Sequence, residues 1–252
     1  LRRSTVLARP DHGGGLIEHP GRLAGQVQLP GQVQSVGQAD LDLVHITVDL
    51  TGKVIGDGGL TARITGLLDN RSKGQISAKG AMDLETGSFD NRDGLLSGKD
   101  LLTLTAARLD NRSGEVRADR TVQLNIEEVS NQEGKITGVA GVNVTATHLD
   151  NSGGKVLSGT DLGLKVAQVI NQNKGLLFSQ GKLTLQGQRL DNRDGKLSGQ
   201  QGLNLLLSGE LDNTRGGLRS DGGIDLTAKD INNSAGQVFS NDAIKLTSRG
   251  AL

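Results

Sequence analysis

The chain has 252 residues, of which 34 % are hydrophobic and 1 % aromatic, whereas ordinary globular domains are about 45–50 % apolar. Acidic and basic residues number 28 each, so the formal net charge is zero, which argues against nucleic acid or an anionic membrane as a general electrostatic partner. Cysteine is absent, which excludes disulfides and thiolate metal sites. No apolar run approaches the roughly 18 residues of a membrane-spanning helix, and we predict no membrane span.

The first 30 residues contain all three prolines and none of the pattern that follows. Because proline lacks a backbone N–H and is confined to edges and turns, we predict an irregular cap or junction segment over residues 1–30. The segments 26–29 and 32–34 flank Pro30-Gly31, which predicts either a hairpin or a first imperfect coil. Residues 31–69 are predicted to form two imperfect rungs of the later repeat.

A repeat of 20 or 21 residues fills the chain from residue 70 to residue 252, marked by a Leu-Asp-Asn phrase that first ends at Asn70. A fixed period of this size is typical of repeat architectures, and we predict nine regular rungs over residues 70–252. The recurring asparagines are Asn70, Asn91, Asn111, Asn131, Asn151, Asn171, Asn192, Asn213 and Asn233.

Apolar residues recur at fixed distances from the glycine that follows each asparagine. In the first regular repeat, counted from Gly74, they lie two, eight, ten and fifteen positions on, at Ile76, Met82, Leu84 and Phe89. All nine repeats keep these four columns, and the alternation at eight and ten is typical of a β-strand. The residue four after the glycine is always Ala, Gly or Ser, which predicts a tight inner corner.

Strands of three to five residues are too short to form a stable sheet alone. Stacked as parallel coils about 4.8 Å apart, they hydrogen-bond to the coils above and below and share one core. The asparagines then fall in one column, where their amides can bond to one another as a structural ladder. A leucine-rich repeat is disfavoured, because the asparagine follows the second leucine by seven residues (Leu84 to Asn91), not three. We therefore predict an all-β parallel β-helix, a solenoid with rungs of about 20 residues that is a monomeric rod.

One repeat reads Leu109-Asp110-Asn111-Arg112-Ser113-Gly114-Glu115-Val116-Arg117-Ala118 and continues to Val122-Gln123-Leu124. It resembles the haemagglutinin repeats of filamentous haemagglutinin-like exoproteins, and the resemblance covers about residues 50–252. The resemblance implies a right-handed parallel β-helix within a very large protein, secreted through an outer-membrane two-partner secretion transporter and displayed on the bacterial cell surface. It implies either an adhesin or the stick of a contact-dependent growth-inhibition toxin. Nothing in the sequence resembles the secretion domain or a toxin module of such proteins, so the resemblance leaves the local function open. The absence of an initiating Met and the end at Ala251-Leu252 lead us to expect a piece of something longer.

The charged residues of the repeat have two interpretations. The column of aspartates that precede the asparagines is interrupted by other residues, and the sequence lacks the nonapeptide of calcium-binding β-rolls. We therefore predict that these aspartates stabilise turns and do not bind calcium. Arg71, Arg92, Arg112 and Arg193 could form a weak ligand stripe for sulfated glycans. We favour a solvated edge, because Ser152 and Thr214 are among the residues that interrupt the stripe.

Catalysis is disfavoured. Parallel β-helices include polysaccharide lyases and hydrolases, which use clustered carboxylates and aromatic residues, but this chain has only three aromatic residues, Phe89, Phe178 and Phe239. Its four histidines show no metal-ligand spacing. We predict no catalytic, cofactor or metal residue. The sequence predicts a non-catalytic shaft that projects a distal binding or toxin element. Two alternatives stay open: an adhesive module for a target-cell receptor or glycan, and, less favoured, a polysaccharide lyase or hydrolase.

Overall fold

The computed structural model describes residues 52–250 and, before them, the backbone of five strands, Gly15–Ile17, Gln26–Leu29, Gln32–Ser35, Ala39–Leu43 and His45–Val48. The described part of the chain is all-β and contains no helix. Its strands belong to two sheets in which every pairing is parallel. The predicted fold class is confirmed: the chain is a β-solenoid of about 20 residues per turn.

The first sheet contains twelve short strands and is called here the short-strand sheet. One strand comes from each coil, in chain order, so each coil pairs with the preceding and the following coil. The strands are Gly15–Ile17, Gln32–Ser35, Lys53–Gly56, Gln75–Ala78, Leu95–Gly98, Glu115–Ala118, Lys135–Gly138, Lys155–Ser158, Leu176–Ser179, Lys196–Gly199, Gly217–Ser220 and Gln237–Ser240.

The second sheet contains sixteen strands and is called the long-strand sheet. In the middle of the chain each coil contributes one strand of nine or ten residues, and from residue 182 onward this strand divides in two. The strands are Gln26–Leu29, Ala39–Leu43, His45–Val48, Leu60–Asp69, Met82–Asp90, Leu102–Asp110, Thr121–Ser130, Gly141–Asp150, Leu162–Ile170, Lys182–Gly187, Arg189–Asp191, Gly202–Leu207, Glu210–Asp212, Ile224–Ala228, Asp230–Asn232 and Ile244–Ser248.

The four predicted apolar columns form the core between the sheets. Ile76, Leu96 and Val116 lie in register on successive short strands, and all four columns are buried throughout the first eight regular repeats. In the ninth repeat Ile244 and Leu246 are exposed, because no described rung covers them. The small residue at position four is buried beside the turn, as predicted for an inner corner, at Ala78 and Ala118 for example.

A fifth inward column, twelve residues after the glycine, was not predicted. It contains residues as different as Thr86, Ala106 and Ile126, all buried, and this mixed composition hides it in the sequence. After it the long strand bends: Glu127 and Glu128 both face outward before Val129 turns inward again.

The extra residue of some 21-residue repeats lies in a turn, as predicted. A standard turn has one residue with φ in the left-handed region, such as Ser113 with φ 54°. Two of the enlarged turns have two such residues in sequence, Ser72 with Lys73 and Asn173 with Lys174. Each enlarged turn therefore bulges without shifting the register of the strands that follow.

The strands before residue 52 follow the same pattern. Gln26–Leu29 pairs in parallel with His45–Val48, and Gln32–Ser35 pairs with Lys53–Gly56 in the other sheet. The two segments around Pro30 are thus consecutive strands of a coil and not a hairpin. Gly15–Ile17 also pairs in parallel, with Gln32–Ser35. The remaining residues of the segment 1–30 lie outside the described residues, and the proposed boundaries at residues 30 and 69 stay predictions.

Candidate functional site: an asparagine ladder and its charged edge

The nine asparagines lie in one column at the turn between the two sheets. The side-chain Nδ2 of each of the first eight donates to the Oδ1 of the asparagine one coil further on, and all eight of these N···O distances lie between 2.6 and 2.8 Å. From Asn70 to Asn213 the side chains are fully buried. The ladder is therefore a continuous chain of amide hydrogen bonds inside the molecule, with every amide pointing the same way.

Each amide also ties the turn to the next coil. Asn111 Nδ2 lies 3.2 Å from the carbonyl oxygen of Gly114 in its own turn and 3.3 Å from that of Lys135 in the following coil. The carbonyl of Gly114 also accepts the backbone N–H of Lys135 at 2.9 Å, so the buried amide adds a second link between the turn and the following coil, with its own N–H groups paired inside the molecule. This explains why the position requires asparagine.

The glycine after each ladder asparagine is required by space. A Cβ on Gly114 would collide with the carbonyl oxygen of Asn91 and lie 2.7 Å from Asn111 Oδ1. The same contact recurs at Gly134 and Gly154. The recurring glycine is therefore needed for close approach of consecutive coils, not for an unusual φ.

The ladder ends differently at its two ends. Asn70 Oδ1 is buried and has no hydrogen-bond partner among the described residues. At the other end Asn233 is exposed, and its Nδ2 donates to Gly236 within its own turn.

The predicted arginine stripe lies beside the ladder and is paired with aspartates. Arg112 donates two hydrogen bonds to Asp110, from Nε at 2.9 Å and from the Nη2 atom at 2.6 Å. Arg71, Arg92 and Arg193 make the same two-pronged contact with the aspartate two residues before them. The four guanidiniums are about half exposed, but the positive charge of each is neutralised by the aspartate it binds.

In two coils that keep the aspartate but lack the arginine, a hydroxyl residue takes the place of the arginine. Ser152 donates from both its backbone N–H and its hydroxyl to Asp150, and Thr214 does the same to Asp212. The aspartate thus holds the turn by accepting the backbone N–H two residues on, an Asx-turn that needs no metal. Use of the stripe by a ligand stays a prediction.

The ion pairs also connect neighbouring coils. Arg71 Nε lies 3.5 Å from Asp90 of the next coil, and Arg193 Nε lies 3.7 Å from Asp212. Partial burial pushes the pKa of Asp110 upward, but hydrogen bonds from Arg112 and the charges of Arg112 and Arg92 together hold that pKa below its ordinary value. The pKa of Asp191 is lowered in the same way through Arg193 and Gln172.

No group of three or more His, Cys, Asp or Glu side chains within the described residues is arranged to hold a metal ion. The described part of the chain also contains no helix with the length and apolar character needed to cross a bilayer.

The sequence did not lead us to predict a distinct surface on the outward face of the short-strand sheet. The signal was present at the positions one and three after each glycine, where Lys155, Phe178 and Lys196 occur.

The fold and the ladder define a β-solenoid repeat protein whose recurring polar residues bond to one another. The family model for the haemagglutinin repeat matches residues 24–126, 117–173, 165–215 and 208–252. The chain therefore belongs to the haemagglutinin repeat family, which confirms the predicted resemblance and extends it to residue 24. No curated protein matches the chain, and no solved structure matches it. Haemagglutinin repeats are generally structural or adhesive, and proteins that carry them are typically secreted surface adhesins.

Proposed function

We propose that this chain is a non-catalytic structural shaft within a secreted protein of the bacterial cell surface, and that it projects a distal binding or toxin element. The observation that carries the proposal is the uninterrupted asparagine ladder, which runs beside a continuous core. Each coil contacts only its neighbours, so stability accumulates along the rod and length can grow without a change of fold. Twelve strands spaced at about 4.8 Å make a rod about 50 Å long.

The proposal has two finer parts. Export of the whole protein would use an outer-membrane two-partner secretion transporter, and the distal element would be either an adhesin tip or a contact-dependent growth-inhibition toxin. Membership of the haemagglutinin repeat family supports both parts. The rod itself would be monomeric, because the apolar columns along its length face its own core.

The test is a deletion of four coils from the surface-displayed parent protein. Removing residues 75–154 joins Gly74 to Lys155, which keeps the phase of the repeat. A shaft predicts a folded rod shortened by about 19 Å, measured by X-ray scattering on the secreted protein, with binding by the distal element unchanged. Loss of that binding from a rod that is still folded would show that the coils themselves bind the target, and the shaft function would be wrong.

A further inference from the structure

The outward face of the short-strand sheet differs from the rest of the surface. Its side chains come from the positions one and three after each glycine, and from Lys135 to Phe239 neither column contains an acidic residue. The chain as a whole has zero net charge, so this face is locally basic. The residues that define it, called here the basic aromatic face, are Lys155, Leu176, Phe178, Lys196, Arg219 and Phe239.

Two of its cations are available to a ligand. Among the described residues neither Lys155 nor Lys196 forms an ion pair, and the register places them two coils apart on either side of Leu176. Their availability contrasts with the arginines of the turn edge, each of which is bound to an aspartate. Arg219 is intermediate, because its guanidinium lies 3.4 Å from Asp221.

The face also carries two of the three aromatic residues of the chain. Phe178 and Phe239 lie in one outward column three coils apart, a separation of about 14 Å. Phe239 is 49 % exposed, and the Arg219 guanidinium lies 5.4 Å from the centre of its ring. The ring and the guanidinium together offer an apolar and a cationic surface to a ligand that carries both an apolar face and negative charge.

A depression of about 450 Å³ lies between these groups. Its lining includes two small residues, Ser198 and Gly217, together with the larger side chains of Leu176, Lys196, Arg219 and Phe239. The size is within the range of small-ligand sites, which is about 300–1,000 Å³.

We propose that the basic aromatic face binds an acidic saccharide, a chain of uronate sugars lying along the rod. The lysines would bind carboxylates, and the apolar face of a pyranose ring would pack on Phe239. The short strands from Leu176 to Ser220 are paired on both sides, so no free strand edge is offered to an acidic peptide. The inference does not depend on the shaft function, since a rod can project one element and bind another along its side.

The test measures binding of defined-length oligogalacturonate to the 252-residue chain by calorimetry. We expect saturable binding that weakens with salt, and binding of the methyl ester of the same oligomer at least about tenfold weaker, because the ester removes the charge and keeps the ring. Lys196→Gln and Phe239→Ser should each weaken binding by about fivefold to tenfold. Both residues point outward, so the thermal midpoint should stay unchanged and separate lost binding from lost folding.

Lys165→Gln is the matched control. Lys165 is exposed and also has no ion pair among the described residues, but it lies on the long-strand sheet in the same coil as Lys155. Its substitution should leave binding unchanged. The proposal is overturned if Lys165→Gln weakens binding as much as Lys196→Gln. It is also overturned if oligogalacturonate does not bind saturably, or if poly-glutamate or phosphatidylglycerol vesicles bind as well or instead.

Discussion

At the residue scale, each ladder asparagine depends on its neighbours on both sides. Asn131 accepts a hydrogen bond from Asn111 and donates one to Asn151, both at 2.7 Å, and it is fully buried. Asn131→Ala leaves a donor and an acceptor unpaired in the interior, and we expect a loss of about 3 kcal/mol in the free energy of unfolding. The measurement is denaturant unfolding followed by circular dichroism.

The control for the ladder is Asn143→Ala, which removes the same amide from an exposed strand position in an adjoining coil. We expect a change within about 0.5 kcal/mol. Equal losses for the two variants would mean that the buried amide contributes no more than a surface one.

The charged edge predicts a pH dependence. The pKa values of Asp110 and Asp191 are lowered in the folded chain, so their contribution is complete above the unfolded value of about 3.9 and is lost as pH falls through the folded pKa. We expect a thermal midpoint that is steady from about pH 7 to pH 5 and falls below about pH 4. Replacing both aspartate–arginine pairs should reduce that fall in thermal midpoint, with the substitutions Asp110→Asn, Arg112→Gln, Asp191→Asn and Arg193→Gln. An unchanged pH profile would mean that these two aspartates do not cause the loss of stability at low pH.

At the element scale, the alternation along one strand decides which residues the core accepts. Leu124 is fully buried between Leu104 and Val144, whereas Gln123, one residue earlier, points outward. Leu124→Asp places a charge in the shared core, and we expect a loss of about 4 kcal/mol or more and new protease cleavage near the substituted coil. Gln123→Asp should change stability by less than about 0.5 kcal/mol. Similar effects in limited proteolysis would mean that the two faces are wrongly assigned.

At the scale of the whole molecule, the coil is the unit that can be removed. Deleting residues 115–134 joins Gly114 to Lys135 and keeps every column in phase, so the rod should stay folded and shorten by about 4.8 Å in X-ray scattering. Deleting residues 115–124 removes half a coil and puts inward and outward positions out of step. That variant should lose its β circular dichroism signal, and equal stability of the two deletions would refute the stacked-coil architecture.

The sequence predicted the fold because one regularity repeats in every coil. Columns such as Ile76, Leu96 and Val116 are apolar in all nine repeats, so their inward direction was visible before the structure. The column of Thr86, Ala106 and Ile126 was not visible, because a position at a bend accepts residues of different size and polarity. The side chain of Arg112 is about half exposed, and its two bonds to Asp110 depend on side-chain directions that spacing does not specify.

The period, the strand alternation and the asparagine column can all be read from the sequence, because a short coil with four apolar residues is stable only when it stacks on others like it. Which outward residues meet depends on how the coils are stacked in three dimensions. Lys155, Lys196 and Phe239 are separated by about two coils each along the chain, and the parallel register brings them onto one face. The physical reason is that burial specifies inward positions in every coil, whereas outward positions vary freely and acquire a shared role only through their neighbours.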